Sequence, residues 1–178
     1  RRASPSAPIV LVIVGTGPEQ QKLRDIAETV GVDVRWVGDA DDAALASWYA
    51  ACDCFTLLPH ELPDGDVEGF GIVYLEAGAF GKPVIGTRSG GVPEAVQSGV
   101  TGILVAPNDP QSAADAFLRL LTDRAFASRL GQAGAERLHR VGQLDLHASR
   151  FRESLPTERD EPERPHAFGE RQLGEAEQ

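Results

Sequence analysis

Residues 9–18, IVLVIVGTGP, decide the fold class of this chain. The run Ile9–Val14 is wholly apolar and mostly β-branched, and it ends in a glycine-rich turn. Such a run is typical of a strand buried on both faces, as in a parallel sheet. The stretch Pro18–Val30 then carries apolar side chains at helical spacing, and Gly31 follows it. Proline in the first turn and glycine after the last are common helix boundaries.

The same alternation continues along the chain and predicts a doubly wound α/β domain with a parallel, Rossmann-like sheet. Strands are predicted at Val34–Val37, Cys54–Leu58, Pro83–Gly86 and Gly102–Val105, and helices from Asp42 to Ala51, Gly71–Phe80, Pro110–Leu121, Arg124–His139 and, more weakly, Leu144–Leu155. Strands that alternate with helices form parallel sheets covered on both faces. Ligands of such sheets lie beyond the carboxyl ends of the strands. The loops that follow the strands are therefore where a site is expected.

The bulk composition predicts one structured domain, residues 9–155. Residues 156–178 are rich in Pro, Glu, Arg and Gly and have few apolar residues, which is typical of disorder. The net charge of −10 argues against a nucleic-acid partner, since a phosphate backbone needs a basic face. We expect a cytoplasmic protein, because no signal-peptide pattern and no membrane-spanning apolar run is visible.

Two groups that could suggest metal chemistry are better explained as structural. Cys52 and Cys54 are the only cysteines, and a lone C-x-C cannot complete a four-ligand zinc site. We expect two reduced, largely buried thiols. Asp64-Gly65-Asp66, with His60 and Glu61, lies in a loop rich in Pro, Gly and Asp, which is typical of a solvated turn. We therefore expect neither a metal nor a cofactor.

The turn Gly15-Thr16-Gly17 resembles the start of a dinucleotide-binding fingerprint. The full fingerprint needs a third glycine, where Gln20 stands, and an acidic residue at the end of the second strand. That strand end is Arg35-Trp36-Val37. An NAD-dependent enzyme is therefore disfavoured. The turn still allows either a ligand or a neighbouring loop to approach closely.

Residues 68–76, EGFGIVYLE, carry the strongest functional signal. The glycine-flanked turn opens a helix, and the unpaired N–H groups of Gly69–Val73, with the helix dipole, favour an anion such as a phosphate. Glu68 and Glu76 lie roughly 10 Å apart at 1.5 Å per helical residue. That spacing suits two hydroxyl-bearing rings that flank a diphosphate. The alternative is that Glu68 only meets the dipole and Glu76 is solvated, but the apolar neighbours of Glu76 favour a functional role.

The surrounding sequence resembles a known enzyme family. The run EGFGIVYLEAGAFGKPVIGTRSGGVPEAVQSGVTGILVAPND, residues 68–109, is similar to the C-terminal domain of glycosyltransferase family four, which carries an E-x7-E motif in a GT-B fold. IVGTGP, WVG and YAACDCFTLLP match the same family in order, so that the resemblance covers about Ile9–His139. It implies retaining transfer of a hexose, mannose or glucose, from a nucleoside diphosphate sugar to a glycolipid or polysaccharide acceptor.

The resemblance also implies roles for individual residues. Glu68 is similar to the catalytic glutamate that contacts the transferred sugar, and Glu76 to the one that holds the ribose. The implied substrate-binding set is Glu68, Gly69, Phe70, Gly71, Ile72, Val73, Glu76, Gly15, Gly17, Val37 and Gly38, with the last two near the base. Gly90-Gly91 resembles a turn whose role is expected to be mainly structural.

Some parts of such an enzyme are not found in this sequence. The resemblance implies that residues 1–8 are the remnant of a preceding helix or linker. The first strand of the domain, an Arg and a Lys that neutralise the diphosphate, and the acceptor-binding N-terminal domain would then lie outside the chain. We expect little activity from the chain alone, because transfer needs both partners in one cleft. We also expect an uncovered sheet edge, because the first strand would be absent. The full enzyme would bind a nucleotide sugar and an acceptor, and would associate peripherally with a membrane. The alternative is a non-catalytic nucleotide-binding module or gene remnant.

Overall fold

The computed structural model describes residues 8–62, 65 and 67–141. Strands and helices alternate as the sequence predicts. The elements are β1 Val10–Val14, α1 Gln20–Val30, β2 Asp33–Gly38, α2 Asp42–Ala51, β3 Phe55–Thr56, α3 Ile72–Ala79, β4 Val84–Thr87, α4 Val92–Ala95, β5 Gly102–Val105, α5 Pro110–Thr122 and α6 Arg124–Val141. The predicted helix at 144–155, the predicted disordered tail and residues 1–7 of the expected helix or linker remnant lie outside the described residues.

All strand pairs are parallel, but the described strands form two sheets rather than the single sheet that was expected. β1 pairs with β2, whereas β3, β4 and β5 form a separate sheet in that order. β3 is shorter than the predicted strand from Cys54 to Leu58. Among the described residues β3 pairs with β4. Backbone bonds run from the Phe55 N–H to the Pro83 oxygen (3.0 Å), just before β4, and from the Leu57 N–H, just after β3, to the Ile85 oxygen (3.2 Å).

The hydrophobic core packs on both faces of the second sheet. Val84 and Leu104 point into one cluster, whereas Ile85 and Val105 point into another. Successive residues of a strand point to opposite faces, so one cluster lies on each face. Side chains of α2, α3 and α4 fill the first cluster, and those of α5 and α6 fill the second. The doubly wound arrangement is therefore confirmed around β3–β5.

The first unit, β1–α1–β2, has no core of its own. No residue from 8 to 45 is buried, and Val10 and Leu11 of β1 are 39% and 38% exposed. The prediction that Ile9–Val14 is buried on both faces is therefore wrong. Among the described residues β1 has a single neighbouring strand, and the apolar side chains of α1, such as Ile26, are also exposed.

The helix starts follow local side-chain chemistry. The Asp41 carboxylate accepts a hydrogen bond from the Ala44 N–H (2.8 Å) at the start of α2, as expected of an N-cap residue. α1 begins two residues later than predicted, because the Gln20 N–H donates to the Gly17 oxygen (3.1 Å) in a turn. None of the helices described between residues 8 and 141 combines the length and apolarity needed to cross a membrane.

Candidate functional site

The turn at residues 68–71 sets the direction in which α3 begins. Gly71 is the N-cap residue and has a left-handed backbone, with φ of 77°. A Cβ at this position would also overlap the ring of Tyr74. Both constraints require glycine. The structure therefore confirms that a helix begins after this turn, with α3 starting at Ile72, one residue after the predicted start.

The Glu68 carboxylate lies at this helix start. Its Oε1 atom accepts hydrogen bonds from the Gly71 N–H (3.0 Å) and, more weakly, from the Phe70 N–H (3.4 Å). A negative charge at the N-terminus of a helix is stabilised by the unpaired N–H groups and by the dipole. The N–H groups at the start of α3 therefore have a carboxylate of the chain itself as their partner. In this structure Glu68 makes the contact with the helix dipole that was considered as its structural alternative.

Glu76 is buried in the core rather than solvated. Its side chain is 4% exposed, and Oε2 accepts a hydrogen bond from the Tyr49 hydroxyl (2.9 Å), across from α2. A charged group is costly to bury unless it is hydrogen-bonded. The interpretation of Glu76 as a solvated helix residue is therefore excluded. The sequence did not predict Tyr49 as the hydrogen-bond partner of Glu76.

The turn at Gly90-Gly91 packs against the backbone of residues 68–70. The Gly91 N–H donates to the Glu68 backbone oxygen (3.1 Å). A Cβ on Gly91 would overlap the carbonyl oxygen of Gly69. The two backbones can approach this closely only if residue 91 has no side chain. The expected structural role of this turn has a definite partner, which is the backbone of residues 68–70.

A second group of candidate residues follows β1 and β2. The Gly15 N–H donates to the Gly38 oxygen (2.7 Å), and the Thr16 hydroxyl donates to Asp39 (3.2 Å). The structure therefore brings Gly15 and Gly38 together at the carboxyl end of the first sheet. Val37 is the penultimate residue of β2, and Gly17 lies in the turn before α1. Residues 68–76 lie between β3 and β4 of the second sheet, so the two candidate groups follow strands of different sheets.

Buried hydroxyls fix the segment that follows β3. The Tyr74 hydroxyl donates to the Leu57 oxygen (2.6 Å), and the Thr87 hydroxyl donates to the Pro59 oxygen. Burial, and secondly the charge of Glu68, raise the pKa of Tyr74 well above its usual range. Tyr74 is therefore a neutral donor at every physiological pH. Tyrosine hydroxyls usually find a partner when they are buried, but the sequence could not show which one.

The cysteines offer no chemistry to the site. Cys52 and Cys54 are free thiols and partly exposed, so they are reduced as expected and less buried than expected. Burial raises the pKa of Cys52 to about 11 and that of Cys54 to about 12. Only the thiolate is a nucleophile or metal ligand. Among the described residues, no group of three or more His, Cys, Asp or Glu side chains is arranged so that it could hold a metal ion. Asp64 and Asp66 lie outside the described residues.

Solved structures define the class to which this fold belongs. HepE from Anabaena, in complex with UDP-glucose, matches with a TM-score of 0.63 and 26% identity over 72% of this chain and 35% of its own. The C-terminal domain of LpcC, a glycosyl transferase group 1 family protein from Francisella tularensis, matches with a TM-score of 0.63 and 29% identity over 72% of this chain and 67% of that one. The fold is the Rossmann-like α/β fold of the GT-B glycosyltransferases.

The family follows from the sequence itself. The family described as "Glycosyl transferases group 1" matches residues 3–137, and the chain belongs to it. A GDP-mannose-dependent alpha-(1-6)-phosphatidylinositol monomannoside mannosyltransferase of Mycobacterium tuberculosis is 40% identical over 148 residues, which are 82% of this chain and 38% of that relative. The chain therefore spans less than half the length of this relative.

Proposed function

We propose that this chain is the donor-binding half of a retaining, family-four glycosyltransferase that takes a hexose from a nucleoside diphosphate sugar. The observation that carries the proposal is the start of α3, where a carboxylate already occupies an anion-attracting turn and a second, buried carboxylate lies farther along the helix. HepE was solved with UDP-glucose, and the mycobacterial relative is named for GDP-mannose. Both names support a nucleotide-sugar donor. Mannose or glucose is the proposed sugar, and a glycolipid or polysaccharide the acceptor.

The proposed chemistry exchanges one anion for another at the helix start. Glu68 now accepts from the N–H groups of Phe70 and Gly71. The distal phosphate of a bound donor would take those N–H groups, and Glu68 would turn towards the transferred sugar. The helix N-terminus would then stabilise the negative charge that develops on the leaving diphosphate. This route needs no metal and no cofactor.

Glu76 is proposed to hold the ribose of the donor. An ionised carboxylate has about four acceptor positions on its two oxygens, and Tyr49 uses one of them. Two neighbouring ribose hydroxyls can donate to such a group together. Val37 and Gly38, at the end of β2, are proposed to lie near the base.

We further propose that the whole enzyme contains more than these residues. The mycobacterial relative is longer, and β1 and β3 each have one edge without a partner strand among the described residues. A further strand between them would join the two sheets. Cationic residues for the diphosphate and an acceptor-binding domain would complete a cytoplasmic enzyme that meets membrane acceptors peripherally. The isolated 178-residue chain would then bind donor nucleotide but transfer little sugar.

The test is the substitution Glu76→Gln, which keeps the size of the side chain and removes its charge. Hydrogen bonds to charged groups contribute about 1.5–3 kcal/mol, so the variant should bind GDP and UDP roughly 10- to 150-fold more weakly in a calorimetric or NMR titration. Glu28→Gln, on the exposed face of α1, is the matched control and should not change the affinity. Equal affinities for wild type and Glu76→Gln would contradict the proposal.

A further inference from the structure

The hydrogen bond between Tyr49 and Glu76 joins two helices through the core. The two side chains are 3% and 4% exposed, and they lie 27 residues apart in the sequence. Removing a carboxylate from water is expensive, and a well-packed apolar residue usually stabilises such a position at least as well. The stability of the fold therefore gives little reason for an acid at this position. A function in ligand binding explains the buried acid better than stability does.

The ring of Tyr49 is held in place on two sides. Its centroid lies 5.7 Å from that of Phe55 at an angle of 60°, and 5.7 Å from that of Phe80 at 24°. Tilted and stacked aromatic pairs at this distance are favourable. A ring packed in this way has little freedom at its two side-chain torsions. The hydroxyl of Tyr49 is therefore a donor with a fixed position and direction.

A fixed donor orients the carboxylate that accepts from it. The bond holds Oε2 of Glu76 at 2.9 Å from the hydroxyl oxygen, and bonds of this charge-assisted type are stronger than neutral ones. A binding group that is already oriented loses less freedom when its ligand arrives. We propose that Tyr49 is a positioning residue that presents the Glu76 carboxylate to the two hydroxyls of the donor ribose. This inference rests on the proposed function, because it takes Glu76 as the ribose-binding group.

The test asks whether removing the Tyr49 hydroxyl weakens the binding of ribonucleotides only, and not of nucleotides that lack the ribose hydroxyls. Tyr49→Phe keeps the stacked ring and removes only the hydroxyl. The probes are GDP and UDP, each beside its 2′,3′-dideoxy counterpart, which lacks both ribose hydroxyls. The variant should lose about 5- to 10-fold in affinity for the ribonucleotides, because a carboxylate that is not held in place loses more side-chain freedom when the ribose binds. Its affinity for the dideoxynucleotides should not change.

Tyr74→Phe is the matched control for a general loss of stability. The chain has two tyrosines, and Tyr74 also donates a buried hydrogen bond, to the Leu57 oxygen. This variant should keep the wild-type ratio of ribonucleotide to dideoxynucleotide affinity. The double variant Tyr49→Phe/Glu76→Gln should lose much less than the sum of the two single losses, because both act through one contact.

The outcomes separate this inference from the proposed function. Equal losses of Tyr49→Phe for both nucleotide types, or no loss for either, would overturn the role of Tyr49. If Glu76→Gln alone removes the preference for ribose, the proposed donor site stands and only the role of Tyr49 falls. A wild-type chain that binds both nucleotide types equally overturns this inference together with the ribose role of Glu76.

Discussion

Gly91 lies against the backbone of Gly69, and position 91 has no room for a side chain. Gly91→Ala must therefore displace residues 68–70, or the turn that carries residue 91. The N–H groups at the start of α3 would lose their common direction. We expect at least a 10-fold loss of GDP and UDP affinity in an NMR titration, with a lower thermal midpoint.

Gly78→Ala is the matched control for this prediction. It introduces the same methyl group within α3, where the new Cβ would meet the backbone of Gly134 at 3.7 Å, an ordinary contact. Alanine also favours a helix over glycine by about 1 kcal/mol. This variant should bind nucleotide as wild type does. Similar affinity losses in both variants would show that the close approach at Gly91 is unimportant.

For single residues, the sequence predicts features formed by neighbours along the chain, but not contacts between distant segments. The helix start at Gly71 and the two glutamates could be predicted, because they lie within one short stretch. Tyr49 could not, since its contact with Glu76 depends on how α2 packs against α3. The contact of Gly91 with Gly69 is likewise a product of tertiary packing.

At the scale of elements, the unit β1–α1–β2 differs from the rest of the described chain. It contains no buried residue, whereas β4 is buried throughout. Segments with few buried apolar contacts open at low free energy cost. In hydrogen exchange measured by mass spectrometry, amides of β1 and α1 should therefore exchange much faster than those of β4 and α6.

The comparison of β1 with β4 is internal to one protein sample and therefore needs no control variant. Equal protection of β1 and β4 would show that the first unit is as stable as the core, and that its exposed apolar surface is covered in solution. Added nucleotide should slow exchange chiefly at the start of α3, because a bound anion would engage those N–H groups.

The order and type of the elements could be predicted because hydrophobic periodicity is local. Each predicted strand and helix between residues 9 and 139 has a counterpart in the structure. The burial of β1 was predicted wrongly. An apolar run such as Ile9–Val14 indicates that a strand suits a covered position, but not whether its neighbours are present to cover it.

At the scale of the whole molecule, the fold class followed from the alternation of strands and helices, and the split into two sheets did not. Among the described residues, β1 and β3 are edge strands, each paired on one side only. Which strands become neighbours depends on segments far apart in the sequence. The carboxyl ends of both sheets carry candidate residues, Gly15 and Gly38 on one and Glu68 on the other. In the proposed function, one nucleotide sugar contacts both groups.

An NMR titration of the ¹⁵N-labelled chain with GDP and with UDP tests directly whether the start of α3 binds the diphosphate. In the proposed function, the diphosphate binds the N–H groups at the start of α3. The amide signals of Gly69–Val73 should therefore shift most and together, with smaller shifts at Gly15 and Gly38. Saturable shifts confined to other surfaces, or none at residues 69–73 when nucleotide is in excess, would contradict the account.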